Sequence, residues 1–118
     1  MMKGITFSVF LVIALVGAGF LGNIRMMDPV EAGDELEFYL NVKNPTKMSF
    51  DDTNVKMYFM DLDGFYAFPG FDLDPLETNG FRYDVPMPVN AEPGYYVMKV
   101  VASNEDFRDS KYVYVDIR

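Results

Sequence analysis

The sequence contains no cysteine, no histidine and no tryptophan. Without a thiol or an imidazole there is no cysteine or serine–histidine nucleophile system. There is also no zinc or copper centre built on nitrogen and sulfur ligands, and no disulfide framework. Positive charge is scarce as well: 10 Lys and Arg stand against 18 Asp and Glu, giving a net charge of -8, and no basic run occurs. Such a chain is poorly suited to a phosphate backbone, so nucleic acid is not an expected partner. What is plentiful is apolar surface. Half of the 118 residues are hydrophobic, ample for a core and too many for a disordered segment.

The longest apolar run lies at the start. Gly4 to Gly22 carry no charge, and Lys3 stands immediately in front. A cation followed by an uncharged apolar stretch is the layout of an export signal. As a helix the stretch would reach ~28 Å, close to the thickness of a bilayer core, so residues 1–22 read as a signal peptide or a retained membrane anchor. Val16 and Ala18 supply small residues at the -3 and -1 positions of a cleavage site. Lys3-Gly4-Ile5-Thr6 also resembles the processing site of archaeal pilins and archaellins, which implies a filament subunit whose N-terminal helix forms the filament core. In each case Lys3 stays inside and Asn23 to Arg118 lie outside the membrane.

Residues 23–118 read as strands and turns, forming one domain. Leu36, Phe38, Leu40 and Val42 alternate with Glu35, Glu37, Tyr39 and Asn41, the mark of a strand with one buried and one wet face. Val55, Met57 and Phe59 repeat the pattern, as do Phe81, Tyr83, Val85 and Met87. Glu31-Ala32-Gly33-Asp34, Asn44-Pro45-Thr46, Asp63-Gly64 and Asn79-Gly80 punctuate the chain with turn chemistry. Pro86 and Pro88 cannot donate to a ladder and end their strand. YYVMKVVASN and KYVYVDIR complete the set. The expected fold is all-β, an immunoglobulin-like antiparallel β-sandwich of about seven strands behind a hydrophobic helix.

The order GDELEFYLNVKN, NVKMYFMDL, FDLDPLET and MPVNAEPGYYVMKVVASNEDFRDSKYVYVDI resembles the immunoglobulin-like CARDB modules of archaeal and bacterial envelope proteins, S-layer proteins among them. The resemblance spans Asp28 to Arg118, and Pro88 to Tyr96 is its most specific part. It implies an extracellular sandwich used for adhesion or assembly, without catalytic residues.

The residues themselves single out no active site and no cofactor. Most carboxylates lie in turns, where Asp serves the backbone, and none stands out as an acid–base pair. Asp61-Leu62-Asp63-Gly64 is half of a calcium loop that Asp72 and Asp74 could join, but the bidentate Glu of an EF-hand is missing. Met57, Met87 and Met98 fall on inward faces and read as core filler, so no metal is expected. Asn44-Pro45-Thr46 is no glycosylation acceptor, because proline occupies its middle position.

One surface invites contact. In this topology the third, sixth and seventh strands share a sheet. Their outward positions are Lys56, Tyr58 and Met60; Tyr95, Val97, Lys99 and Val101; and Tyr112, Tyr114 and Asp116. Tyrosine and valine stand there where water favours threonine and charge, which marks an interaction surface for an envelope protein, a glycan or a second copy. The bland alternative is that these residues are good strand formers, or that Phe65 to Phe71 folds over them.

Overall fold

The computed structural model describes residues 20–62 and 64–118. Val16, Ala18, Asp63 and the apolar run up to residue 19 lie outside the described residues. Among those described, no helix is long and apolar enough to cross a membrane.

The described residues form eight strands in order: β1 Leu21–Met26, β2 Glu35–Lys43, β3 Phe50–Phe59, β4 Gly64–Ala67, β5 Phe71–Leu73, β6 Thr78–Pro86, β7 Gly94–Ser103 and β8 Arg108–Ile117. They form two antiparallel sheets. One has the order β1-β2-β6; the other has the order β4-β3-β7-β8, with β5 pairing the first part of β3. The third, seventh and eighth strands are therefore the sheet-sharing set that the sequence numbers third, sixth and seventh.

Period-2 alternation sets the core. Leu36, Phe38, Leu40 and Val42 of β2 face Val55, Met57 and Phe59 of β3, together with Met98, Val100 and Ala102 of β7 and Val115 and Ile117 of β8, all buried in one cluster. Met57, Met87 and Met98 are core residues, as their inward positions predict. Ahead of β2, Asp34 donates its N–H to the Glu31 carbonyl at 3.0 Å, closing a turn in which Gly33 adopts φ 85°. A side chain would resist that left-handed conformation.

Two differences from the sequence pattern have physical causes. The aromatic stretch around Pro69 divides into β4 and β5, adding a strand. Its side chains then close one open side of the sandwich: Phe68 stacks on Tyr83 at 3.9 Å, Phe71 meets Phe81 at 4.3 Å, and the Tyr66 hydroxyl donates to the Pro86 carbonyl. Phe65 meets Tyr58 on the outer face of β3, while Tyr66, Phe68 and Phe71 pack against the core instead of covering that face. At the other end, β1 begins at Leu21, and Phe20 and Leu21 are buried in the core. The folded unit thus takes in residues 20–22, which the continuous apolar run assigns to the leader.

The opposite side is closed by contacts of β1 and the segment after it with β8 and Arg118. Val30 donates its N–H to the Asp116 carbonyl at 3.0 Å and accepts that of Arg118 at 2.8 Å, while the N–H of Leu21 reaches the Asp109 carboxylate at 2.9 Å.

Candidate functional site

The outer face of the larger sheet is organised in cross-strand rows. Phe65 of β4 pairs with Tyr58 of β3, Tyr58 with Lys99 of β7, and Lys99 with Tyr112 of β8. The next row joins Met60, whose N–H donates to the Val97 carbonyl at 3.0 Å, to Val97 and Tyr114. Tyr95 and Asp116 pair at the far end. Side chains that meet across strands on one face form a continuous surface.

Its contacts are specific. The Tyr58 and Phe65 rings lie 5.0 Å apart, and the Lys99 ammonium sits 5.8 Å from the Tyr112 ring centroid, a cation–π arrangement. Tyr95 is 74% exposed, Tyr114 67%, Tyr112 58%, Phe65 56% and Met60 53%. Tyr58, Val97, Lys99 and Lys56 are half-buried among their neighbours. At the rim, Arg118 pairs with Asp116 at 3.1 Å. This pair lifts the Arg118 pKa above its ordinary value, chiefly through the hydrogen bond to Asp116.

Val101 departs from the expected surface. It stands between Lys56 and Ser110 on the outer face but is only 1% exposed and outside the core cluster, so its neighbours on that face cover it. It offers no open contact area. Phe65, conversely, belongs to the face although the alternation of the three main strands does not reveal it. The signal is the Asp63-Gly64 pair in the sequence, just ahead of β4, which lies antiparallel against β3.

Of the carboxylates considered for calcium, the described ones, Asp61, Asp72 and Asp74, do not gather. Asp72 and Asp74 sit beside the start of β3, where Asp72 accepts the N–H of Asp52 at 3.0 Å. Asp61 follows the other end of the same 10-residue strand, ~30 Å away. Among the described residues no group of three or more Asp or Glu could hold a metal ion. The outer face presents aromatic rings and apolar side chains to solvent.

No protein-family profile matches the chain, and no curated protein does either. Solved structures do. The crystal structure of the CARDB domain of the PF1109 protein from Pyrococcus furiosus, described in complex with di-metal ions, superposes with a TM-score of 0.58 at 15% identity over 80% of this chain and 84% of that one. The solution structure of the same domain gives 0.60 at 18% identity, over 83% and 94%. The sporulation control protein Spo0M of Bacillus subtilis gives 0.61 at 11% identity, with 87% of this chain matching half of that one. At these identities the likeness concerns fold: the sandwich is a CARDB-like all-β module.

Proposed function

We propose that the chain is a non-catalytic module displayed outside the cell, binding a neighbouring envelope protein through the outer face of β4, β3, β7 and β8. The carrying observation is the unbroken row Phe65–Tyr58–Lys99–Tyr112, flanked by Tyr95 and Tyr114. An aromatic surface with charge at its rim matches the anatomy of a protein interface, whose hot spots are enriched in tyrosine. Display outside rests on Lys3 and the apolar run behind it.

Replacing Tyr58 with Thr, Val97 with Lys and Tyr112 with Thr together tests the face. The expected result is loss of cell-surface retention, and of self-association if the neighbour is a second copy. Retention and association both unchanged would make the face an ordinary wet sheet.

Lys3-Gly4-Ile5-Thr6 supports a second reading, a filament subunit. Sequencing the mature N-terminus separates the two. A start at Ile5 supports the filament, a start at Gly19 supports secretion of the free module, and an intact Met1 supports an anchor. A start at Gly19 would also leave the buried Phe20 and Leu21 in place.

A further inference from the structure

The outer face of the smaller sheet has a different chemistry. Asn23 and Arg25 of β1, Tyr39 and Asn41 of β2, and Gly80 and Arg82 of β6 surround a surface depression of about 520 Å³. Missing side chains create it. Two residues, Gly22 and Asn23, stand opposite the single Asn41, because the pairing slips between Leu21 and Ile24. Such a bulge re-aims the side chains beside it. On the other flank Asn41 pairs with Gly80. A Cβ at Gly80 would lie 3.1 Å from Asn41 Oδ1, and one at Gly22 would lie 3.2 Å from Asn41 Cβ, so side chains there would crowd the floor.

Charge is unevenly placed around this dish. The net charge is -8, yet the lining holds two arginines and no acid. Arg82 is held by Glu37 at 2.8 Å and Asp84 at 3.1 Å, two carboxylates that outweigh its charge, so the dish depends on Arg25 to attract an anion. The Arg25 guanidinium lies 5.1 Å from the Tyr39 ring centroid, and among the described residues no carboxylate forms a salt bridge with it. A preoriented guanidinium with open donors is built for a bidentate carboxylate. The amides of Asn23 and Asn41 each both donate and accept, which is what ring hydroxyls require. Because Arg25 covers one face of Tyr39, stacking of a neutral sugar on that face is blocked.

We propose that this depression binds an acidic sugar of the hexuronate class within an envelope glycan, its carboxylate on Arg25 and its hydroxyls on Asn23 and Asn41. The biological setting rests on the reading of the chain as an exported contact module; the binding itself does not. It uses the sheet opposite the aromatic face, so either proposal can fail while the other stands.

The test is titration of the isotope-labelled chain, followed by NMR, with a galacturonate trisaccharide, a neutral galactose trisaccharide and acetate. Shifts confined to β1, β2 and β6 with the acidic sugar are expected. Loss of a charge-assisted pair should weaken binding about tenfold or more in Arg25→Gln, and added salt should weaken it too. Gly80→Val, which fills the dish and pushes on the exposed Asn41 amide at a strand position of ordinary backbone, should abolish binding while the amide spectrum stays folded. The variant at Tyr58, Val97 and Tyr112 should bind the sugar normally. Equal binding of acidic and neutral sugars, equal binding of acetate, an undiminished Arg25→Gln titration, or shifts on β7 and β8 would each overturn the proposal, as would no shift with any of the three.

Discussion

The carbonyl of Phe20 accepts the amide N–H of Lys43 at 2.9 Å, and the Phe20 ring meets Phe50 edge-on at 5.4 Å between centroids. One residue thereby ties β2 of the smaller sheet to β3 of the larger. A chain beginning at Gly19 should therefore unfold at clearly higher urea concentration than one beginning at Asn23. The difference should be about 3–5 kcal/mol, the scale of deleting a buried aromatic side chain. Urea unfolding followed by tyrosine fluorescence measures it. Equal midpoints would mean that the segment before Asn23 adds nothing to the sandwich.

Asn44 is fully buried, and its amide group donates to the carbonyls of Met48 at 2.5 Å and Asp74 at 3.1 Å. Its oxygen accepts from the N–H and hydroxyl of Thr46 at 2.9 and 2.7 Å. The Asn-Pro-Thr triplet is thus a staple between two loops. Asn44→Ala should cost about 2–4 kcal/mol by leaving buried groups unpaired. Asn44→Asp should cost at least as much despite its similar shape, because a carboxylate cannot donate to carbonyls. Thermal melts of the two variants give the comparison, and an aspartate variant as stable as the native chain would contradict it.

Burial pushes the Tyr83 phenol up to about 12 from 10.0, and burial raises Tyr66 in the same direction. A raised pKa favours the proton in the fold, so this contribution is fully present below pH ~10, the pKa of an unperturbed tyrosine, and is lost as pH climbs toward the folded value. Stability should therefore decline between pH 10 and about 12. Tyr83→Phe should flatten the decline. Urea midpoints across that window, with tyrosinate absorbance as titration signal, check the sign; a rising midpoint would refute it.

Much of this architecture is legible in the residue pattern. The alternation from Leu36 to Val42 identifies β2 and its inward face, and Pro86 marks the end of β6, because these features act through local backbone geometry. The start of β1 is not legible: Phe20 and Leu21 continue an apolar run, and hydrophobicity alone does not distinguish a leader from a core. Alternation puts Val101 outward but is blind to the side chains that cover it. The dish around Asn41 escapes for a further reason. Gly22, Asn41 and Gly80 are far apart in sequence, and only the bulged register sets them side by side.

Two sheets packed face to face are separated by roughly 10 Å of core. The tyrosine ladder and the arginine-lined dish therefore look in opposite directions, and occupation of one leaves the other unobstructed. If both faces bind as proposed, a slab with two unlike sides would act as a rivet, fastening a proteinaceous layer on one hand to a polymer coat on the other within the thickness of a single small domain.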